Sequence, residues 1–284
     1  MRISLAGRRR LGALAATDAI ILAQVVVQTT TSAPAAAIPG LQVAEASTAM
    51  DSMGVKTQDV DCPPGTRVLG GGAALIGNPS TKVFLTEMRP LHAWTYRVTA
   101  AEMAPGWDGR WILTAYAICS APLRGWELKT GNSGTDASDF KTTFTYGCSE
   151  HKKAFSAGGR VNVPAGQQGQ VGLTMVRPDG PLTIGRASAR VAPGGFWDPW
   201  SVDSYAICAY PVPNQQNAGQ LSPNSWGYAT CPSGPTPNGL GGGAGTVDLH
   251  KGYLQDIQPY QNGVYVQMTD LPDGGIVAQV TCSD

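Results

Sequence analysis

The sequence predicts an all-β protein in which three repeats of four antiparallel strands form one domain. Glycine and proline together make up about a fifth of the 284 residues, which suits many short strands joined by turns. Short runs of β-branched and aromatic residues alternate with turn residues, and no segment beyond the N-terminal forty residues shows a long helical pattern. The same landmarks also recur three times along the chain, which indicates a repeated structural unit.

Each copy begins with a cysteine, continues through a glycine cluster and a Leu-x-x-x-(Arg/Gln)-Pro element, and ends with a second cysteine. The leucine of that element (Leu85, Leu173, Leu254) follows the first cysteine by 23, 25 and 23 residues. The closing cysteine follows the leucine by 34, 35 and 28 residues. We therefore place the repeats at 56–123, 143–213 and 226–284, with polar linkers at 124–142 and 214–225 and a loose leader at 38–55.

The six cysteines favour disulfides over a metal site. An even count in a secreted chain suggests a disulfide framework, although sequence alone leaves fifteen pairings open. The repeats favour pairing within each copy, which gives Cys62–Cys119, Cys148–Cys208 and Cys231–Cys282. Zinc is the alternative, but the chain has no C-x-x-C pattern and its three histidines share no repeat position. We therefore predict neither a metal nor a cofactor.

Four strands are predicted in each repeat. In the first repeat they are RVLGGGAAL, KVFLTEM, WTYRVTAAEM and RWILTAYAIC. The last of these is apolar on both faces, which is typical of a central strand; this places Trp111, and its counterpart Trp200, in the core. Glycine inside a strand marks a bulge or a close backbone approach, and this is the role predicted for the glycine clusters at 70–72, 158–159 and 241–243.

Three four-stranded sheets around a pseudo-threefold axis would form a β-prism, with a β-trefoil as the alternative. The CPPGTRVLGGGA start and the YAIC close resemble a repeat of secreted actinobacterial proteins; the third copy matches only in part, because QVTC replaces YAIC. The three-copy, four-strand plan is similar to vitelline membrane outer layer protein one and to jacalin-type lectins, which implies the β-prism. No lectin sugar-binding motif is found.

The N-terminal segment predicts export. Four arginines precede an apolar stretch that ends in Ala-x-Ala, the pattern of a signal peptide over residues 1–37. The arginine run at 8–10 suits either the general secretory or the twin-arginine route. Removing four arginines and one aspartate from 20 basic and 20 acidic residues leaves a net charge of −3. That charge argues against nucleic-acid binding, and no second apolar span of membrane length follows.

Motifs for catalysis are missing from the sequence. There is no G-x-S-x-G and no H-E-x-x-H, and no close acidic pair recurs across the repeats. The sequence therefore favours a secreted binding or envelope-associated protein over an enzyme. A hydrolase with an unrecognised site and a purely structural extracellular protein remain the alternatives.

The candidate ligand residues lie in the loops PGWDGRW (105–111) and PGGFWDPW (193–200). Trp107 precedes Asp108 in the first loop, and Trp197 precedes Asp198 in the second. An aromatic ring packs against the apolar face of a sugar, while a carboxylate accepts its hydroxyl protons. We therefore predict a glycan or cell-wall ligand at these residues. The alternative is that each loop tryptophan folds back and covers the end of a sheet.

Overall fold

The structure is a computed structural model that describes residues 38–77, 82–232, 236–244, 252–269 and 274–284. These residues confirm the all-β prediction, with eighteen strands and one 3-10 turn at Gln168–Gln170. The predicted signal peptide lies outside the described residues.

The described strands fall into three consecutive segments of the chain, with six strands in each. The first segment contains β1 Gln42–Ser47, β2 Val55–Asp61, β3 Arg67–Ile76, β4 Val83–Pro90, β5 Thr95–Glu102 and β6 Ile112–Ser120. The second contains β7 Glu127–Asn132, β8 Phe140–Phe144, β9 Lys153–Asn162, β10 Val171–Pro178, β11 Gly185–Val191 and β12 Ser201–Ala209. The third contains β13 Gln216–Ser222, β14 Trp226–Thr230, β15 Thr236–Ala244, β16 Leu254–Tyr260, β17 Gly263–Met268 and β18 Ile276–Ser283.

The described strands form three six-stranded antiparallel sheets. Sheet I has the order β1-β6-β3-β16-β17-β14, sheet II β7-β12-β9-β4-β5-β2, and sheet III β13-β18-β15-β10-β11-β8. Each sheet joins the first, sixth and third strands of one segment to the fourth, fifth and second strands of another. The prediction of three four-stranded sheets is therefore wrong, because each segment divides its strands between two sheets.

The strands that the sequence analysis missed are the six edges of the sheets. β1 lies in the predicted leader, β7 and most of β8 lie in the first predicted linker, and β13 lies in the second. Edge strands expose much of their surface, so their sequences are polar and resemble loops. The closing strands β6 and β12 are flanked on both sides, which confirms that they are not edges.

Glycines mark the places where the segments touch. A Cβ atom on Gly70 would lie 3.1 Å from the Ser156 Cβ and 3.2 Å from the Gly239 Cα. A Cβ atom on Gly239 would lie 1.7 Å from the carbonyl oxygen of Phe155. β3, β9 and β15 therefore contact one another at one point, and a single hydrophobic cluster draws residues from all three segments.

Further glycines lie at the seams where two segments share a sheet. A Cβ atom on Gly72 would lie 2.0 Å from the Ile257 carbonyl oxygen, and one on Gly158 would lie 2.9 Å from the Met88 carbonyl oxygen. These distances confirm the predicted close backbone approach. A side chain at either position would separate the two halves of the sheet.

The two core tryptophans are confirmed, and each lies beneath a buried lysine. Trp111 and Trp200 are fully buried. The Lys56 ammonium lies 4.6 Å from the Trp111 ring centroid and 2.8 Å from the Asp51 carboxylate. Lys141 repeats this arrangement over Trp200, at 5.1 Å from the ring. The ammonium–ring contact adds electrostatic attraction to the packing.

All three predicted disulfides are confirmed: Cys62–Cys119, Cys148–Cys208 and Cys231–Cys282, each with a Cα–Cα distance of 5.7 Å. Each bond ties the stretch between the second and third strands of a segment to its sixth strand. Loops of this length are stabilised by about 4 kcal/mol in chain-entropy models. Disulfides persist in oxidising compartments, so these bonds fit an extracellular protein. Within the described ranges, no helix has the length and apolar character needed to cross a membrane.

Candidate functional site

The predicted loop residues differ in exposure. Trp107 is half-buried and packs against the core, while Asp108 is exposed. Trp197 is 81% exposed and Asp198 is exposed as well. No ring contact or hydrogen bond joins the two loops among the residues that the structure describes. The ligand role of these four residues stays a prediction.

Glu102 fixes the first loop. Its carboxylate accepts a hydrogen bond from the Trp107 backbone N–H at 2.9 Å and one from the Trp111 indole N–H at 3.0 Å. Trp107 covers Gly109, where a Cβ atom would lie 2.0 Å from the indole. Trp107 therefore folds back towards the sheet, which was the alternative to the ligand role. A cavity of about 320 Å³ opens beside Glu102, between this loop and the 166–170 turn.

Phe196, and not Trp197, occupies the position that corresponds to Trp107. Phe196 lies four residues before the buried Trp200, as Trp107 lies four residues before Trp111, and Phe196 belongs to the hydrophobic core. Trp197 therefore points away from the core. Of the predicted aromatic residues, Trp197 offers the larger free surface to a ligand.

A larger exposed aromatic surface lies on sheet I. β14, β17 and β16 pair side by side, and Ala229, Val264 and Ile257 are buried in the core. Because side chains alternate along a strand, the intervening residues face away from the core. The surface that we call the aromatic face consists of Trp226 and Tyr228 on β14, Tyr265 on β17 and Tyr260 on β16.

The rings of the aromatic face lie close to one another and to solvent. Trp226, Tyr228 and Tyr260 are 46%, 46% and 45% exposed. The Tyr260 centroid lies 6.4 Å from that of Tyr228 and 6.3 Å from that of Tyr265. These spacings fall within the range of interacting aromatic pairs. The result is an open row of rings and not a closed pocket.

Polar side chains lie among these rings. Gln258 pairs with Tyr265 across β16 and β17, and Gln267 pairs with Trp226 across β17 and β14. The Tyr265 hydroxyl donates a hydrogen bond to the Gln267 side-chain oxygen at 2.9 Å. Amide groups of this kind both donate and accept hydrogen bonds, so the face can pair with hydroxyl groups of a ligand as well as stack on it.

A buried carboxyl lies next to the aromatic face. Asp256 accepts a hydrogen bond from the Leu75 backbone N–H at 2.7 Å, across the seam between β16 and β3. Burial raises the pKa of Asp256 to about 7. Burial also raises the pKa of Tyr265, with a further contribution from the Asp256 charge. Asp256 therefore connects the aromatic face to the seam, and its charge changes near neutral pH.

Sheet II has a different, polar surface. A cavity of about 380 Å³ lies between Tyr146, Tyr205 and Asp203. The Asp203 carboxylate already accepts hydrogen bonds from Asn132 at 2.6 Å and from Asn162 at 2.9 Å. Both oxygens of Asp203 therefore already accept hydrogen bonds from the protein.

None of the four residues of the aromatic face was predicted from the sequence as a ligand residue. Trp226 and Tyr228 come directly after a predicted linker, and Tyr260 and Tyr265 flank a tight turn. The alternation Trp-x-Tyr in SWGYAT is the signal that could have revealed an exposed strand face. In the described ranges, no group of three or more His, Cys, Asp or Glu side chains has the geometry to hold a metal ion.

Comparison with the models of known protein families and with curated proteins finds no match to this chain. The function of the protein is therefore inferred from the geometry of its surfaces.

Proposed function

We propose that this is a secreted carbohydrate-binding protein whose ligand lies on the aromatic face of sheet I. The observation that carries the proposal is the row of four aromatic side chains on three adjacent strands, three of them close to half exposed. Soluble proteins rarely expose contiguous apolar patches without a binding role.

The chemistry of the aromatic face suits a polysaccharide. Sugar rings have apolar C–H faces that stack on Tyr and Trp, and hydroxyl edges that pair with amide groups. Gln258 and Gln267 supply those amides between the rings. An open row favours an extended chain over a small molecule, since small-ligand sites are usually concave. Glycans of a cell surface or cell wall are such chains.

The architecture that we propose around this site is β-prism-like, with pseudo-threefold symmetry. The same strand order in three sheets supports it. The contact of β3, β9 and β15 at Gly70, Ser156 and Gly239 supports it as well, because these residues hold corresponding positions in the three segments. Each prism face would then present a different outward surface, and among the described residues the clustered aromatic rings lie on sheet I.

The magnitude of the stacking follows from the exposure of the rings. A buried aromatic side chain removes roughly 150–250 Å² from water. Tyr228 and Tyr260 keep 46% and 45% of their surface exposed, so each can still bury roughly 90 Å² against a sugar. At about 25 cal/mol per Å² this is about 2 kcal/mol, which corresponds to roughly a tenfold to thirtyfold change in Kd.

Binding to insoluble cell-wall polysaccharide, followed by a glycan array, tests this function. Tyr228→Ala and Tyr260→Ala should each weaken binding by roughly tenfold or more. Tyr146→Ala is the matched control, because Tyr146 is 82% exposed but lies outside the aromatic face. Equal binding by all three variants and the parent would contradict the assignment of the ligand site to the aromatic face.

The loop residues Trp107, Asp108, Trp197 and Asp198 are the second proposed location for the same ligand. The 81% exposure of Trp197 supports it. Trp197→Ala and Trp107→Ala, measured in the same assay, distinguish the two locations. Loss of binding in these variants, with Tyr228→Ala unchanged, would move the site to the loops.

A further inference from the structure

Two arginines face each other on the outward surface of sheet III. Arg177 on β10 pairs directly with Arg186 on β11. Their neighbours Val176 and Ala187 are buried, so the two arginines point away from the core. Like charges directly opposite each other on a sheet are destabilising. Such a pair therefore needs a source of compensation.

Sheet II contains the corresponding pair together with its compensation. Arg89 on β4 pairs directly with Arg97 on β5. Arg89 Nε lies 2.6 Å from a Glu87 oxygen. Arg97 donates two hydrogen bonds to Asp59, at 2.7 and 2.8 Å. Each cation of this pair has its own carboxylate.

Sheet III lacks both of those carboxylates. The residue two positions before Arg177 is Met175, where sheet II has Glu87 before Arg89, and both follow a register shift in their strands. The residue opposite Arg186 on the edge strand is Phe144, where sheet II has Asp59 opposite Arg97. Both acidic positions are therefore apolar in sheet III.

The neighbours of the two arginines leave most of their donors unused. Arg177 donates to the Met175 sulfur at 3.2 Å and to the Gln279 side-chain oxygen at 3.4 Å. Arg186 donates to the Thr142 hydroxyl at 3.2 Å, and its guanidinium lies 5.3 Å from the Phe144 ring. Each guanidinium has five N–H donors. Among the described residues, no acidic side chain forms an ion pair with either arginine.

We propose that Arg177 and Arg186 form an oxyanion-binding site on the outward face of sheet III, which takes a sulfate, phosphate or carboxylate group. The planar guanidinium fork matches the two oxygens of such groups. A bound anion would supply the charge that Glu87 and Asp59 supply on sheet II. Burial lowers the pKa of both arginines, and for Arg177 the charge of Arg186 lowers it further; a bound anion would oppose this destabilisation of the two cations. This site does not depend on the aromatic face.

The test titrates the full, disulfide-intact protein with sodium sulfate, sodium phosphate or sodium acetate, and sodium chloride keeps the ionic strength constant. The readouts are the Tm and the NMR signals of the arginine Nε–H groups. We expect a saturable shift of the Arg177 and Arg186 signals with at least one of the three anions. The anion that acts identifies the chemical group: acetate indicates a carboxylate, and sulfate or phosphate indicates the corresponding ester.

Variants separate a specific site from general salt effects. Arg177→Gln and Arg186→Gln should weaken binding by about tenfold or more, since each substitution removes charge-assisted hydrogen bonds to the anion. Phe144→Asp should also abolish binding while the fold persists, because it places a carboxylate where sheet II has Asp59, at a position that is 48% exposed. Arg97→Gln, on sheet II, should leave binding unchanged.

Sulfate stabilises many proteins by exclusion from their surfaces, so the parent and each variant are compared at the same sulfate concentration. The proposal is overturned if none of the three anions shifts the Nε–H signals of Arg177 and Arg186. It is also overturned if Phe144→Asp binds the active anion as tightly as the parent.

Discussion

Replacing Asp256 by asparagine should change how the stability of the protein depends on pH. Asp256 is 7% exposed, and burial raises its pKa from 3.8 to about 7. The hydrogen bond that Asp256 accepts from the Leu75 N–H, at 2.7 Å, opposes this rise in pKa in part. Asparagine can accept the same hydrogen bond through its amide oxygen but cannot ionise. The substitution therefore removes the titration and keeps the contact.

The direction in which stability changes with pH follows from the protonation of Asp256 in the folded and unfolded states. Between pH 3.8 and about 7 the unfolded chain loses this proton while the folded protein keeps it. The contribution of Asp256 to stability is therefore complete below pH 3.8 and is lost as the pH rises to about 7. At about 1.4 kcal/mol per pKa unit, the total loss is at most about 4 kcal/mol. Asp256→Asn should thus be more stable than the parent at pH 8 by up to about 4 kcal/mol.

Guanidinium chloride unfolding with intact disulfides, at pH 4, 6 and 8, measures this difference. Asp59→Asn is the control, because its effect on the free energy of unfolding should not change between pH 6 and pH 8. Hydrogen bonds from Arg97 lower the pKa of Asp59, so its contribution is present above pH 3.8 and is lost as the pH falls further. A free-energy difference between Asp256→Asn and the parent that is the same at pH 4 and pH 8 would refute this reasoning.

Three further substitutions test the fold. Gly239→Ala should destabilise the protein by about 3 kcal/mol or more, because the new Cβ would lie 1.7 Å from a backbone oxygen. Gly219→Ala is the control, because the nearest atom to its Cβ would be 3.7 Å away. Equal unfolding midpoints for the two variants would contradict the close contact of β3, β9 and β15. Lys56→Met should cost about 2 kcal/mol in chemical unfolding, because the buried Lys56 ammonium donates hydrogen bonds to the backbone carbonyl oxygens of Ala49, Asp51 and Trp111. An unchanged unfolding midpoint would show that those bonds add nothing to stability. Replacing Cys231 and Cys282 by alanine should cost up to about 4 kcal/mol and lower the Tm, and an unchanged Tm would refute a stabilising role for that bond.

Local patterns in the sequence were enough to predict the inner strands and the disulfides. The closing strand that begins after Trp111 is apolar on both faces, so its sequence identifies it as a central strand. The matched spacing of the cysteines selected one pairing out of fifteen. These features depend on residues that are close in the sequence or repeated along it.

The distribution of strands over sheets depends on contacts between segments, and single-segment patterns do not contain that information. β3 pairs with β16 of another segment through Ala73 and Ile257, which lie far apart in the chain. The edge strands were missed for a different reason: one face of each is solvated, so their composition resembles that of a loop.

The candidate sites also depend on contacts between residues that are distant in the sequence. Trp107 packs against the core, and the Glu102 carboxylate accepts a hydrogen bond from its backbone N–H; the sequence does not contain this packing. The aromatic face combines β14 with β16 and β17, and sequence proximity alone does not place β14 beside them. An alignment of the repeats could have revealed the uncompensated arginine pair, since EMRP and MVRP differ at the position of Glu87 and Met175.

The most direct test of the proposed function is an NMR titration of the protein, labelled on its aromatic side chains, with a soluble fragment of cell-wall polysaccharide. We predict that the signals of Trp226, Tyr228, Tyr260 and Tyr265 shift together with one common Kd, while those of Trp107 and Trp197 do not move. Shifts confined to Trp107 and Trp197, or no shift at the aromatic face at saturating ligand, would contradict the account.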